Sequence, residues 1–186
     1  MPSRPELLLD AAIAVLGCAG IRQLTHRAVD AAAGLPPGST SNYFATRDAL
    51  IEGIADRFTT QERSGWETIA AYVQPKSAPE LASALSTFAR RATGPERALT
   101  VARYSLFLEA ALRPSLQEQL GANARSIRRW AAPWLAGLGS ADPERDAQLV
   151  LDQLDGIMLH QLAFPDPAFD PEPALIRLLT ALLRQG

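Results

Sequence analysis

Glycine and proline cut this chain at helix-length intervals, and the segments between them repeat their apolar residues with a helical period. Leu8, Ala12, Val15 and Leu16 fall at i, i+4, i+7 and i+8, one stripe of a helix that ends near Gly17 or Gly20. Thr25 is a favourable N-cap for a second helix through Ala28, Val29 and Ala32, stopped at Gly34. Pro36-Pro37 makes the next turn and opens a short third helix reaching Phe44. Thr46 caps a long fourth helix through Ile54, Phe58 and Trp66 to Val73, with Asp48 near the positive end of its dipole. Gln74-Pro75 ends it.

The same chemistry recurs downstream. Ser77 and Glu80 have capping-box spacing, with Pro79 in the first turn. Gly94-Pro95, Asp142-Pro143 and Asp170-Pro171 each read as a cap followed by proline at the first helical position. Arg113-Pro114 and Ala132-Pro133 mark breaks or kinks. No segment alternates with period two between hairpin turns, so no strand is predicted. The fold class is all-α, with about nine helices on this reading.

Hydrophobic residues make up 47% of the 186 and charged ones 20%, the balance of a chain that buries a core. No run of about 18 apolar residues spans a membrane. The apolar stretch from Leu7 is broken by Asp10 and does not read as a signal peptide. Cys18 is the sole cysteine, which fits a reducing cytoplasm, and two histidines are too few for a conventional zinc site. No metal or cofactor is expected.

The net charge is −2, so nothing draws the whole chain toward a polyanion. Within residues 1–60, Arg4, Arg22, Arg27, Arg47 and Arg57 are set against Glu6, Asp10, Asp30, Asp48, Glu52 and Asp56. A nucleic-acid-binding face must therefore come from placement, with Arg22, Arg27 and Arg47 displayed and the carboxylates turned elsewhere.

The stretch from Leu24 to Leu50 is the informative one. Two short helices joined by a tight glycine-containing turn can lay the second helix in a major groove. The candidate reading helix, Gly38-Ser39-Thr40-Ser41-Asn42-Tyr43-Phe44, is rich in small and polar residues that are poor interior helix formers. Hydroxyls and amides suit phosphate oxygens, and asparagine pairs with adenine. A polar surface turn is the plain alternative for an isolated motif of this kind.

The wider context carries more. Leu8-Leu9-Asp10-Ala11-Ala12, Gly20, Leu24-Thr25, Ala28-Val29, Ala33-Gly34-Leu35, Gly38-Ser39-Thr40, Tyr43-Phe44 and Arg47-Asp48-Ala49-Leu50 together resemble the N-terminal signature of the TetR family of transcriptional regulators. The resemblance spans residues 6–52 in unbroken register. It implies a helix-turn-helix domain over residues 1–50 and a helical ligand-binding and dimerisation domain over residues 51–186. It also implies a homodimer on a palindromic double-stranded operator, released by a small-molecule effector. By position, Thr25 would cap the second helix and touch phosphate beside Arg27. Pro37, Gly38, Ser39, Thr40, Ser41 and Asn42 would face the groove, with Ser39 and Tyr43 on phosphate and Thr40 or Asn42 nearest the bases. Arg47 stands where the family usually has a phosphate-contacting lysine, and Phe44 would pack in the core. Pro36-Pro37 replaces the common Ser-Lys pair and Ser41 a common aromatic, which removes one basic contact and alters another.

Other candidates weigh less. His26 could meet a phosphate or be an exposed helix histidine, and Cys18 reads as a buried or half-buried packing residue. No nucleophile elbow or phosphate loop appears, and Asp155 is off the helical face of His160, so the chain is not expected to be an enzyme. Trp66, Tyr104, Phe107, Trp130, Trp134 and Phe164, with Arg103, His160 and Gln161 as polar groups, could line an effector cavity or be ordinary core. Leu151, Leu154, Met158 and Leu162, with Leu175, Leu178, Leu179, Leu182 and Leu183, suit an intersubunit four-helix bundle or a cap on their own domain. The alternative to a DNA-binding regulator is a helical small-molecule sensor without DNA binding.

Overall fold

A computed structural model describes residues 2–72 and 74–183. Its described residues form eight helices and no strand. These are α1 (Arg4–Ala19), α2 (His26–Ala32), α3 (Arg47–Tyr72), α4 (Ala78–Thr93), α5 (Arg97–Ala110), α6 (Pro114–Gly137), α7 (Pro143–Ala163) and α8 (Glu172–Leu183). The all-α expectation holds.

Local chemistry sets the helix starts. The hydroxyls of Thr25, Thr46 and Ser77 accept from the amides of Ala28, Ala49 and Glu80, and the Asp142 carboxylate accepts from Arg145. The Ser77 box is incomplete, because Glu80 turns to the Lys76 amide instead. A full capping box closes at Ser3 and Glu6, a spacing present in the sequence but absent from the expectation above.

Three expectations change. The short third helix is a run of hydrogen-bonded turns, so the described helices number eight. Its serines spend their hydroxyls on nearby carbonyls, Ser39 on Pro36 at 2.7 Å and Ser41 on Gly38 at 2.9 Å, which competes with a helical ladder. Gly94-Pro95 lies in a turn ahead of α5, and Asp170-Pro171 precedes α8, which begins at Glu172, so neither pair is a cap followed by a first helical proline. Ala132-Pro133 does not break α6, which continues to Gly137 with Ala131, Ala132 and Leu135 buried.

The chain divides into two compact units. The first comprises residues 1–64 and 97–123, that is α1, α2, most of α3, α5 and the start of α6. Its core joins Leu8, Ala12 and Leu16 of α1 to Leu50, Ile54 and Phe58 of α3 and to Leu106 and Leu116. Arg57 clamps α3 to α1 through a two-point contact with Asp10 at 2.7 and 2.9 Å and a third bond to Glu6 at 3.1 Å.

The second unit comprises residues 65–96 and 124–186. Leu81, Leu85 and Ala89 of α4, Val150, Leu154 and Met158 of α7, and Leu175 and Leu179 of α8 are buried there. Arg90 of α4 reaches Asp170 at 3.0 Å, just before α8, and Glu172 at 3.7 Å. A row of aromatic rings runs through this unit, Phe88 to Trp66 at 5.0 Å, Trp66 to Trp130 at 5.4 Å and Trp130 to Trp134 at 4.5 Å.

At Gly17, α1 packs directly on the backbone at the start of α5. A Cβ there would lie 2.0 Å from the Ala98 carbonyl oxygen, a backbone atom that cannot swing aside. Gly17→Ala should therefore cost about 1–3 kcal/mol of stability through overpacking. Gly65→Ala, at an exposed helical glycine with open space around it, should instead gain about 0.5–1 kcal/mol. Denaturant melts of both variants check this, and equal behaviour would count against the close contact.

Candidate nucleic-acid interface

The segment between α2 and α3 is built on a buried carboxylate. Asp30 of α2 is 2% exposed. Its Oδ2 accepts from the Gly38 amide at 2.7 Å, and its Oδ1 from the Thr40 amide at 2.7 Å and the Thr40 hydroxyl at 2.5 Å. Burial pushes the Asp30 carboxyl upward, but the bonds from Thr40 and Gly38, aided by His26, outweigh it and hold the group below the ordinary 3.8. Because the folded value is lowered, this carboxylate stabilises the fold above the ordinary value and loses that contribution as pH falls through the lowered one.

Backbone geometry serves the same end. Gly34, at φ +66°, ends α2 in the left-handed region, with Leu35 donating back to the Asp30 carbonyl at 2.9 Å. Gly38, at φ +91°, bends the chain so that its amide meets the carboxylate. His26 Nε2 lies 2.6 Å from the Phe44 carbonyl and donates to it, so the ring carries its proton there. This histidine is a tie between α2 and the end of the turn, a role its sequence context did not indicate. Phe44 is half-buried against the core as expected, with an edge over Gly53 of α3.

Around this frame, Thr25, Arg27, Pro37, Gly38, Ser41, Asn42, Tyr43 and Arg47 are exposed. Two of the expected contacts change character. Thr40, expected near the bases, is fully buried with its hydroxyl given to Asp30, because its neighbours in the turn leave it facing inward. Arg47 spends two nitrogens on carbonyls of the loop between α1 and α2, those of Leu24 and of Ile21 (2.6 Å). It braces that loop against the start of α3.

Charge placement is the decisive observation. Each carboxylate in residues 1–60 has an intramolecular partner: Glu6 and Asp10 have Arg57, and Asp30 has the turn. Asp48 has Arg113, Glu52 has Ser115 and Asp56 has Gln119. Arg22 and Arg27 are exposed, and neither has a hydrogen bond or ion pair to the described residues. The side chains of Asn42 and Tyr43, the latter 49% exposed, are equally uncommitted.

The C-terminal candidates fall into separate groups. Arg103, Tyr104 and Phe107 belong to the first unit, where the Arg103 guanidinium sits 4.9 Å from the Phe107 ring centre and 3.0 Å from Glu62. Trp66, Trp130 and Trp134 belong to the second and join Phe88 in the row described above. His160 and Phe164 meet at an exposed edge with ring centres 5.1 Å apart and planes tilted by 48°, Phe164 being 69% exposed, and Gln161 bonds the backbone of Asp166. Cys18 is exposed, not the packing residue expected, since it falls on the outer side of α1. Among the described residues no His, Cys, Asp and Glu group has metal-binding geometry, and no helix is long and apolar enough to cross a membrane.

The chain has relatives of known fold. A family model described as bacterial regulatory proteins, tetR family, matches residues 8–54. A second, tetracyclin repressor-like, C-terminal domain, matches residues 76–185. The multidrug binding protein EbrR, solved with ethidium, is 31% identical, with 97% of this chain and 99% of that one covered at a TM-score of 0.73. A TetR family member from Streptomyces coelicolor A3 is 30% identical, with 98% and 99% covered and a TM-score of 0.70. A transcriptional regulator from Rhodococcus sp. Rha1 shares the fold at 23% identity, with 98% and 97% covered and a TM-score of 0.79. No curated protein matches the chain. With its N-terminal segment and most of its remaining length matched by TetR models, the chain belongs to the TetR family of DNA-binding transcriptional regulators.

Proposed function

We propose that this protein is a homodimeric repressor that leaves a palindromic operator when a small planar aromatic compound binds it. The observation that carries the DNA part is the charge placement: every carboxylate of the first sixty residues is internally paired, while Arg22, Arg27, Asn42 and Tyr43 stay exposed and uncommitted. DNA binding is assigned to residues 1–50, and effector binding and dimerisation to residues 51–186. Arg27, Tyr43 and the Thr25 hydroxyl serve phosphate, and Asn42 reads a base edge. Pro37, Gly38, Ser39 and Ser41 bring the backbone close to the duplex, while Thr40 and Arg47 act from beneath and beside the turn.

The dimer proposal uses the faces that the second unit leaves open. Leu154, Met158, Leu175 and Leu179 are consumed within their own unit. Leu151, Leu162, Leu178 and Leu182 are half-buried, and Leu159 is 50% exposed. This second face of α7 and α8 is the natural partner for its own copy. For the effector, the row from Phe88 through Trp66 and Trp130 to Trp134 offers ring faces for stacking. The relative EbrR has been solved with ethidium and with proflavin, both flat aromatic compounds.

Selection from a random duplex pool at low salt should recover a palindrome; recovery of no sequence would sink the operator assignment. Arg27→Ala and Tyr43→Ala should weaken binding to all duplexes, with the salt slope falling by about 1 for Arg27. Asn42→Ala should instead change base preference, at about 1–3 kcal/mol for the lost contact. Leu178→Glu with Leu182→Glu should yield monomer in light scattering, and a native dimer in that variant would exclude the α7–α8 face. Ethidium added to protein without DNA should quench tryptophan fluorescence, with Trp130→Ala and Trp134→Ala abolishing the saturable part. An effector that weakens operator binding about 100-fold must itself bind about 100-fold more weakly to the protein–DNA complex, a coupling of about 2.7 kcal/mol. Equal affinity in both titrations would mean the compound is not the inducer.

A further inference from the structure

We propose that Asp30 is a positioning residue for sequence reading: by gripping Gly38 and Thr40 from beneath, it holds a non-helical reading turn in the one conformation that presents Asn42 and Tyr43. The proposal rests on the DNA-facing reading of this turn. It concerns a residue that touches no base or phosphate.

The turn needs such a device. From Pro37 to Tyr43 the chain lacks a continuous helical ladder: Asn42 donates to Gly38 and Phe44 to Thr40, but Ser39 and Tyr43 donate three residues back, to Pro36 and Thr40. Glycine, serine and asparagine leave the backbone free to take other shapes. Two of the amides are tied instead to the Asp30 carboxylate, ten or fewer positions upstream on α2; the Thr40 bond is buried and the Gly38 bond part-buried. The Thr40 hydroxyl adds a third bond to the same carboxylate. A charged acceptor bonded to two amides and a hydroxyl fixes two backbone points and one side chain at once. Asn42 is two residues beyond the second fixed point, so a rotation at Thr40 would carry its amide off a base edge. Phosphate contacts from Arg27, held by α2 itself, would survive that rotation.

This separates positioning from simple stability. The probe is the duplex selected by the unaltered full-length protein, compared with a scrambled duplex of equal length. The variants are Thr40→Val, which keeps the shape and removes the hydroxyl, Asp30→Asn, and Thr40→Ser as the rescue. Thr40→Val and Asp30→Asn should lose about tenfold or more on the selected duplex and little on the scrambled one, with the salt slope unchanged. Thr40→Ser should bind the selected duplex within about threefold of the unaltered protein. Equal losses on both duplexes, or full discrimination retained by folded Thr40→Val, would overturn the proposal. Should Asp30→Asn fail to fold, Thr40→Val decides alone, since it leaves the carboxylate and both backbone bonds in place. Hydrogen exchange gives the readout that needs no DNA: the Gly38 and Thr40 amides should be protected in the unaltered protein, and exchange at loop rates there overturns the strut outright. Protected amides in a protein that selects no duplex would place the failure in the operator reading, not in the strut.

Discussion

A protein surface that carries carboxylates repels a phosphate backbone unless those charges are spent elsewhere, and the first unit here is organised by that constraint. Its α1 acids close on Arg57, its α3 acids on Arg113, Ser115 and Gln119, and Asp30 disappears under the turn. Most of these pairings also tie α3 to α1 or to the start of α6, so the bonds that occupy the carboxylates hold the unit together. Exposed pairs of this kind contribute little stability singly. Their joint effect is on the local field, to which the exposed Arg22 and Arg27 contribute charge with no carboxylate partner among the described residues.

Much of this fold was legible because helix starts are local. Thr25, Thr46, Ser77 and Asp142 each satisfy an amide three residues on, so a short window of sequence contains both partners. The Ser3–Glu6 box is equally local, but it lies ahead of the apolar stripe that begins at Leu8. The turn between α2 and α3 was legible in place and composition but not in form. Its serines bond their own neighbourhood, and its anchor, Asp30, is a carboxylate whose partners depend on how the chain returns after Gly34.

Side-chain roles were harder still. Arg47 looks in sequence like a free cation at the start of a helix, yet two backbone carbonyls more than twenty residues upstream claim it. His26 faces a carbonyl 18 positions away. The aromatic residues of the second half could not be sorted by sequence, because Tyr104 and Trp66 look alike until the chain's division assigns them to different units. Leucines three or four apart on α7 and α8 likewise share a stripe on paper but divide between an inner and an outer face once the helices pack.

The make-up of the first unit has a consequence for synthesis. Its core is not finished by the N-terminal helices: Leu106, Leu116 and Leu120 complete the cluster around Leu8 and Phe58, and Gly17 is shaped to receive the backbone at Ala98. A nascent chain emerging from the ribosome holds the first three helices long before those residues exist. Until residue 123 has cleared the exit tunnel, the apolar sides of α1 and α3 cover one another but lack the part of the cluster that Leu106, Leu116 and Leu120 supply. The turn between α2 and α3 is made well before the residues that complete the core of its unit.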